Sequence, residues 1–462
     1  MFPDILKNAK VIPIFKDQNP KLFSNYRPIS ILSVFSKIYE YVIKIRLSAF
    51  FNKHNVLVNN QFGFREGHST YMPVTSLVDQ LTKNIDEGLY SVAIFLDFQK
   101  AFDSLDHNIL LAKMEHYGIR GAALKLIHSY LSNRSQVVMY NNALSTQKNI
   151  ITGVPQGSIL GPLLFLIYIN DIVNSSNLAS FLIYADDTTT IYSDSDPSLL
   201  NSKINNDLIN ICHWCNVNKI AINLNKTKYM IFNPIKITGT KFKSKNISLN
   251  IGASKLEEVD NATFLGIYID NRLDWKKHIS YVSTKISQVI GILAKIRYKI
   301  SVKAAVQIYD ALIASHLSYC NIVWGNTYRA TLDPVYILQK RALKTCLHLP
   351  KLTNDNVLFK KANKLSIFDL NEYQSGIFIY SVLNKLTPSV FDNFFVLVEN
   401  VHSYNTRSQG GLHVISANKN VRKHSLKIRS FQCWSNIPST IRQISSLVLF
   451  KKKFKAYFIS NY

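Results

Sequence analysis

The sequence predicts an α+β protein, with a mixed part over the first 270 residues and a mainly helical part behind it. In the first part, short apolar runs of strand length alternate with segments whose apolar residues recur at helical spacing. Beyond Trp275 the pattern changes to long helical segments, among them 279–300 and 302–317. We therefore expect one domain boundary near Asp270 and a second near Leu349.

The elements of the first part follow from the apolar runs and from the residues that end them. The run Ser91–Phe98 predicts a buried strand with Asp97 at its end, and the helix after it is predicted to stop at Gly118. The sequence "FLIYADDTTTIY" predicts a hairpin with Asp186 and Asp187 at its tip. The other predicted elements are helices over 124–131, 160–172 and 198–218, and a strand, turn and strand over 219–232.

Composition excludes several classes of protein. Hydrophobic residues make up 47% of the chain, so it is not a disordered tail. The longest apolar stretch, "ILGPLLFLIYI", is too short to span a bilayer, and the first ten residues contain no signal-peptide core, so we expect an intracellular protein without a membrane partner. The five cysteines are an odd number, which argues against a disulfide framework. Cys212 and Cys215 form a CxxC pair without a second pair for zinc, which favours cysteines on a helix face.

The net charge of +25 is concentrated in the second half of the chain. Residues 271–462 contain 28 Lys and Arg against 8 Asp and Glu, and two basic, turn-rich stretches lie at 403–413 and 417–425. This asymmetry predicts a surface for a polyanion. Nucleic acid is favoured over an anionic membrane, because no amphipathic anchor with Trp on one side is present.

The adjacent aspartates raise the question of why a sheet core should end in paired negative charges. Taken alone, they fit an ordinary acidic turn as well as a metal site. If the strand that ends at Asp97 neighbours the hairpin, three carboxylates converge at one sheet edge, where they repel each other unless cations neutralise them. Two Mg²⁺ ions held in this way can clamp an in-line phosphoryl displacement. The pattern therefore predicts a divalent-metal site.

Several further motifs occur in a fixed order around these aspartates. Together they resemble the reverse transcriptases of non-LTR (LINE-type, especially jockey-like) retrotransposons over about residues 1–270. The later "HLSYCNIVWG" and "YNTRS" resemble the C-terminal region of the same elements. The motifs that carry the main resemblance are "VIPIFK", "NYRPIS", "NQFGFREGHST", "FLDFQKAFD", "GVPQGSILGPLLF", "YADD", "LNKTK" and "FLGIYID".

The resemblance implies a right-hand polymerase fold and specific residue roles. Its parts are fingers and palm (1–270), a helical thumb (271–349) and a basic C-terminal region (350–462). Two Mg²⁺ ions, with Mn²⁺ as the alternative, are expected at the three aspartates. Phe102 is expected to exclude a 2′-hydroxyl, which with Ala185 favours DNA over RNA synthesis. The implied site residues are Asp97, Asp186, Asp187 and Lys226 (catalytic), Lys16, Arg27, Phe102, Gln156 and Gly157 (nucleotide-binding), and Phe264, Leu265 and Gly266 (primer grip).

Simpler interpretations compete with these roles. Asp97 could end a strand, Lys16 and Arg27 could be surface charges, and Phe102 could be a core residue. Gln156 and Gly157 could simply start a helix, and "FLGIYID" could be a buried edge strand. Lys219 and Lys228 are neighbours that share the character of Lys226. Asp103 and Asp106 are predicted to be helix caps rather than ligands.

The resemblance implies an RNA-directed DNA polymerase that uses an RNA template, a DNA primer and dNTPs. No endonuclease or RNase H pattern is present, and part of the fingers before "VIPIFK" is not recognised, so we expect a truncated copy whose endonuclease lies on another part of the element. Priming on chromosomal DNA would place the protein in the nucleus. The alternative is an inactive relic that only binds nucleic acid. A metal-dependent nuclease is a third interpretation, but it explains neither Phe102 nor the "PQG" loop.

Overall fold

The computed structural model describes residues 1–16, 19–234, 247–398 and 411–462. These residues mix helices and sheets in the first part and are mainly helical after Trp275, which confirms the predicted α+β class. Most of the basic stretch 403–413, including "YNTRS", lies outside the described residues. No helix in the described ranges combines the length and the apolar character needed to cross a membrane.

The elements have the following bounds. The strands are β1 Asn8–Phe15, β2 Tyr26–Ile31, β3 Tyr90–Leu96, β4 Arg134–Tyr140, β5 Ala143–Leu144, β6 Lys148–Ile150, β7 Ser180–Tyr184, β8 Asp187–Asp194, β9 Lys228–Phe232, β10 Asn250–Ile251, β11 Ser254–Lys255, β12 Glu257–Glu258, β13 Asn261–Phe264 and β14 Ile267–Asp270. The helices are α1 Val34–Lys53, α2 Tyr71–Asp86, α3 His107–His116, α4 Gly121–Leu131, α5 Gly161–Ile169, α6 Pro197–Val217, α7 Lys276–Ile296, α8 Val302–Tyr309, α9 Ser315–Ser318, α10 Asn321–Trp324, α11 Arg329–Cys346, α12 Asp355–Ala362, α13 Ile367–Leu383, α14 Asn420–Lys423, α15 Leu426–Asn436, α16 Ser439–Arg442 and α17 Leu447–Ser460.

A central sheet with strand order β12-β9-β3-β8-β7 organises the first part. β3 lies between β8 and β9 and is antiparallel to both. Successive side chains of β3 enter two different cores: Val92, Ile94 and Leu96 pack on one face, and Ala93 packs on the other. Because both faces of the strand are covered, its sequence is a continuous apolar run and does not alternate between apolar and polar residues.

A second sheet lies at the N-terminal end of the chain. It joins β1 and β2, which are antiparallel, to β4, which is parallel to β1. Ser30 of β2 donates its backbone N–H to the Gln156 carbonyl at 2.7 Å. This hydrogen bond connects the N-terminal sheet to the loop that precedes α5.

Most of the predicted elements are confirmed. α3 ends just before Gly118, whose φ of 95° is readily adopted only by glycine. The predicted first strand of 219–232 is wrong: only Lys228–Phe232 is a strand, and Ile222 makes a single bridge to Phe98. β3 ends at Leu96, so residues 97–99 and 221–223 share only isolated hydrogen bonds.

The helices after Trp275 share one hydrophobic core that also includes α2 and the β13–β14 hairpin. The basic stretch 417–425 is not only turns, because it contains α14. Arg422 of α14 is 4% exposed, and its Nη1 lies 2.6 Å from Asp79 Oδ1 of α2. The C-terminal region therefore packs back onto a helix of the first part.

Candidate active site

The tip of the β7–β8 hairpin carries two of the three aspartates. Tyr184 pairs with Asp187, which leaves Ala185 and Asp186 as a two-residue turn. Ala185 has a φ of 58°, a left-handed conformation that costs an alanine free energy but matches the twist of a tight hairpin. The turn therefore places Asp186 and Asp187 at the end of the sheet.

Asp97 reaches the same edge from the neighbouring strand. The last pair between β3 and β8 joins Leu96 to Thr188, so Asp97 and Asp187 are the next residues on the two strands. Asp97 donates its backbone N–H to Thr227 Oγ1 at 3.2 Å and accepts from Asn223 N at 2.7 Å. Asn223 and the turn "LNKTK" that follows it thus fix the backbone N–H and carbonyl of Asp97.

The three carboxylates influence one another electrostatically. Burial raises the pKa of Asp187 to about 6, with further contributions from Asp186 and Asp97. Burial also raises the pKa of Asp186, which the charge of Asp97 raises further. Within the described ranges, the side-chain oxygens of Asp97 and Asp187 form no hydrogen bond or ion pair. Such a cluster attracts a divalent cation.

The donor set fits hard cations that keep part of their own hydration. The described residues contain no group of three or more His, Cys, Asp or Glu side chains already placed to hold a metal ion. Mg²⁺, however, is usually bound through one or two carboxylates together with waters and substrate phosphates. Asp97, Asp186 and Asp187 can supply that number of oxygen ligands without closing around an ion.

Two cations approach the carboxylates from the N-terminal sheet. Lys16 follows β1, and Arg27 lies in β2 opposite Ile14. Both side chains are exposed, and both lower the pKa of Asp186, so they lie within electrostatic reach of the aspartates. Among the described residues neither forms an ion pair, which leaves both free to bind an anion.

The loop "GVPQGS" is held tightly against the chain's own backbone. Gly153 has a φ of 79°, and a Cβ there would lie 2.6 Å from the Asp103 carbonyl oxygen. Gly157 has a φ of 126°, and a Cβ there would collide with the Ser30 carbonyl oxygen. The resemblance implies that Gly157 binds the nucleotide; the close approach that both glycines allow in the structure is to protein backbone.

Gln156 is oriented by a neighbouring carboxylate. Its Nε2 donates to Asp103 Oδ1 at 2.9 Å. Asp103 is therefore not a helix cap, and that prediction is wrong, because its side chain turns toward the loop instead of α3. Asp106 does cap α3, since it accepts from Asn108 N at 2.9 Å and Ile109 N at 3.1 Å.

Phe102 is half-buried beside this loop. Its ring stacks on Phe165 with centroids 4.6 Å apart and an interplanar angle of 28°. The Phe64 ring is nearly perpendicular to the Phe102 ring, and the two ring centroids lie 6.3 Å apart. Val154 donates its backbone N–H to the Phe102 carbonyl at 3.0 Å, so the ring and the loop are fixed together.

Ion pairs distinguish Lys226 from the two lysines near it. Lys219 pairs with Asp106 at 2.7 Å, and Lys228 pairs with Glu257 at 3.0 Å. Lys226 is exposed in the turn that holds Asp97, and the described part of the chain gives it no ion pair. Of the three, Lys226 is the one whose ammonium group remains available.

Phe264, Leu265 and Gly266 lie at the tip of the β13–β14 hairpin, which is separate from the central sheet rather than an edge strand of it. Leu265 and Gly266 form its turn with φ values of 48° and 80°. Tyr319 donates its hydroxyl to the Leu265 carbonyl at 2.6 Å, and the buried Phe264 ring lies 6.1 Å from Phe95. The turn is thus held between the sheet and the helical part.

A side chain that the sequence patterns do not predict supports the aspartate hairpin. Gln61 is 1% exposed, and its Oε1 accepts from Ala185 N at 2.9 Å and Gly63 N at 2.7 Å. A Cβ at Gly63 would collide with the Ala185 backbone. Gln61 belongs to the "NQFGF" motif, which marks it as a candidate. The neighbouring residues in the sequence do not show which backbone groups the Gln61 carboxamide contacts.

The CxxC pair lies on α6, as predicted for cysteines on a helix face. Cys215 is buried and Cys212 is half-buried. Burial raises the pKa of Cys215 to about 12, so its thiol stays protonated at neutral pH. Thiolate chemistry at this residue is therefore disfavoured.

Comparison with known proteins agrees with this geometry. A model of the family described as reverse transcriptase (RNA-dependent DNA polymerase) matches residues 14–269. The probable RNA-directed DNA polymerase from transposon BS of Drosophila melanogaster is 28% identical over 78% of this chain and 40% of its own length. The RNA-directed DNA polymerase from mobile element jockey of the same species is 30% identical over 74% of this chain and 38% of its own length.

Among solved structures, apo telomerase from Candida tropicalis superposes with a TM-score of 0.47 at 15% identity, over 79% of this chain and 62% of that one. The chain spans about 40% of the length of the curated relatives it matches. The family match covers more than half of the chain and includes all three aspartates. The resemblance to non-LTR retrotransposon polymerases and the expected polymerase fold are therefore confirmed, and the chain belongs to the reverse transcriptase family.

Proposed function

We propose that the chain is an RNA-directed DNA polymerase that extends a primer 3′-hydroxyl with dNTPs on an RNA template. The observation that carries this proposal is the meeting of Asp97, Asp186 and Asp187 at one edge of the central sheet. Similarity to polymerases of mobile elements supports the choice of reaction. The proposed DNA primer and dNTPs follow from the same similarity and from Phe102.

The three aspartates hold the metals in this proposal. Two Mg²⁺ ions, or Mn²⁺ in their place, supply Lewis-acid chemistry that activates a hydroxyl and neutralises phosphate charge. Gln61 and Thr227 fix the two backbone segments that carry the carboxylates. The chain itself therefore contributes a preorganised set of oxygen ligands.

The incoming nucleotide lies between the aspartates and the N-terminal sheet. Lys16 and Arg27 bind the triphosphate, for which a point charge and a guanidinium fork are suited. Phe102 lies beneath the sugar and excludes a 2′-hydroxyl. Gln156 and Gly157 form the surface on which the base pair is positioned. The electrostatic reach of both cations to Asp186 supports this arrangement.

Two further elements complete the proposed site. Lys226 donates a proton to the leaving pyrophosphate, a role supported by its position in the turn next to Thr227, which contacts Asp97, and by the lack of an ion pair to it among the described residues. Phe264, Leu265 and Gly266 hold the primer strand, and their contact with Tyr319 connects them to the helical part.

The proposed division of the chain is fingers and palm over 1–270, thumb over 271–349 and a basic C-terminal region over 350–462. The last region shares the thumb's hydrophobic core, so we propose that it acts with the thumb on nucleic acid rather than as a separate module. Its excess of Lys and Arg supports binding of the template or primer. Action on chromosomal DNA places the protein in the nucleus.

Primer extension on an RNA template tests the proposal. The purified chain is compared with Asp186→Ala and with Asp194→Ala, a control at the far end of β8. We expect extension by the wild type and by Asp194→Ala, and none by Asp186→Ala. If no protein extends while all bind the primed template, the chain is a nucleic-acid-binding relic. Cleavage of the template in place of extension would favour a nuclease.

A further inference from the structure

Glu40 is a fully buried carboxylate on α1, far in sequence from every motif residue it contacts. Its Oε2 accepts from the backbone N–H groups of Ile159 at 2.6 Å and Leu160 at 3.2 Å. Its Oε1 accepts from Ser36 Oγ at 3.1 Å. These two backbone groups stand just before α5, where N–H groups have no partner inside the helix. Glu40 thus fixes the end of the loop that carries Gln156.

A buried charge of this kind requires compensation. Arg134 is also fully buried, and its Cζ lies 4.8 Å from the centre of the Tyr130 ring. After the effect of burial, the Glu40 carboxylate raises the pKa of Tyr130 and the Arg134 guanidinium lowers it. The acid and the base therefore both lie within electrostatic reach of the Tyr130 hydroxyl, on which they act with opposite sign.

The loop between Gly153 and α5 is consequently attached at three places. Asp103 holds the Gln156 side chain, and the Ser30 backbone holds the Gln156 carbonyl at 2.7 Å. Glu40 holds the two residues that follow Ser158. Two of the attachments come from β2 and α1, the same part of the chain that carries Lys16 and Arg27. The loop and these cations are therefore positioned by one structural unit.

We propose that Glu40 is a positioning residue for the incoming nucleotide: it acts through Ile159 and Leu160 to keep Gln156 and Gly157 at a fixed distance from the aspartates. This inference rests on the polymerase function proposed above. Small displacements at a reaction site are costly, since about 1 Å of misplacement lowers a rate by about 100-fold. Loss of the Glu40 charge should weaken nucleotide binding but leave binding of the primed template unchanged.

Equilibrium dNTP binding tests this without any chemistry. The probe is the next complementary dNTP, titrated with Mg²⁺ into full-length chain bound to an RNA template with a dideoxy-terminated DNA primer. For Glu40→Gln we expect about tenfold weaker dNTP binding, unchanged Kd for the primed template, and faster amide hydrogen exchange in a peptide that contains 159–160. The control is Asp207→Asn, a buried carboxylate that accepts from the Tyr192 hydroxyl at 2.7 Å, away from the loop.

Equal dNTP affinity in folded Glu40→Gln and wild type would overturn the proposal, as would an equal loss in Asp207→Asn. If Glu40→Gln does not fold, Ser36→Ala decides, because it keeps the carboxylate and removes one hydrogen bond that orients it; an unchanged dNTP Kd would then contradict the role of Glu40. Failure of the polymerase proposal gives a different result, since the wild-type complex would then bind the primed template but no dNTP.

Discussion

The carboxamide of Gln61 holds the backbone of Ala185 from both sides at the tip of the aspartate hairpin. Its Oε1 accepts from Ala185 N at 2.9 Å, and its Nε2 donates to the Ala185 carbonyl at 3.4 Å. Ala185 has a positive φ, which alanine does not favour, so an outside group is needed to stabilise this conformation. Gln61 supplies that group from a segment 124 residues away.

This relationship predicts that Gln61→Ala lowers kcat for primer extension by about tenfold or more, because a misplaced Asp186 costs rate steeply. KM for the primed template should change little. Gln147→Ala, at an exposed glutamine away from the site, serves as the control and should extend primers like the wild type. Full activity of Gln61→Ala would show that the hairpin keeps its conformation without this support.

The ion pair between Arg422 and Asp79 predicts that the C-terminal region stabilises the first part of the chain. Arg422→Ala should lower the free energy of unfolding by about 3 kcal/mol, since it removes the nearer and more buried of the two cations at Asp79 and leaves only Lys427, at 3.8 Å. Lys83→Ala, which breaks an exposed pair with Glu87, should cost well under 1 kcal/mol. Chemical denaturation of the single variants and of Arg422→Ala with Asp79→Ala measures the coupling. Additive losses would argue against the ion pair.

The raised pKa of Asp187 predicts an unusual pH dependence of stability in the absence of divalent cations. A carboxyl that binds its proton more tightly in the folded state stabilises the protein when protonated, so stability should fall as pH rises from about 4 to about 6. Asp187→Asn should remove this loss and raise the free energy of unfolding at pH 7 by less than about 1 kcal/mol, because the side chain is only partly enclosed and solvent screens its charge.

Asp194→Asn is the control, because the pKa of Asp194 is shifted in the opposite direction to that of Asp187. Its hydrogen bond to Lys203 lowers the pKa of Asp194, so its charged form contributes stability above its unfolded pKa that is lost as pH falls. Thermal unfolding between pH 4 and 8, with and without Mg²⁺, measures both effects. Added Mg²⁺ should raise the Tm of the wild type more than that of Asp187→Asn. Equal Mg²⁺ effects would contradict a metal site at Asp187.

Because Phe102 stacks on Phe165, we expect its ring to stay in place and to exclude a nucleotide sugar that carries a 2′-hydroxyl. Phe102→Val should raise incorporation of rNTPs relative to dNTPs by about tenfold or more, since a smaller side chain admits the 2′-hydroxyl. The ratio of kcat/KM for the two nucleotides is the measurement. Phe181→Leu, at a buried residue of β7, should lower stability without changing that ratio. An unchanged ratio in Phe102→Val would make Phe102 a core residue only.

The parts of the fold that could be predicted are those set by local patterns. The apolar run of β3 and the paired aspartates between two β-branched runs identify a strand and a hairpin without any knowledge of their partners. That Asp97 and Asp187 lie opposite each other depends on the order of strands in the sheet. The resemblance to a known family supplied that order, whereas composition and spacing did not.

The errors arise where a distant contact decides the structure. Asp103 has the sequence context of a helix cap, but its carboxylate accepts a hydrogen bond from the carboxamide of Gln156, 53 residues away. Segment 219–224 has the alternation of a strand, but no strand of the central sheet extends far enough to pair with it. Gln61, Glu40 and Arg422 were missed for the same reason, since their partners lie more than 100 residues away in sequence.

Iron-mediated cleavage of the backbone shows whether the three aspartates form one divalent-metal site. Fe²⁺ replaces Mg²⁺ in the full-length protein, ascorbate and peroxide generate radicals at the bound ion, and the fragments are mapped. We predict cuts near both Asp97 and Asp186–Asp187, suppressed by excess Mg²⁺ and lost in Asp97→Asn and Asp186→Asn but not in Asp194→Asn. Cuts at only one of these segments, or a pattern unchanged in the variants, would contradict the account.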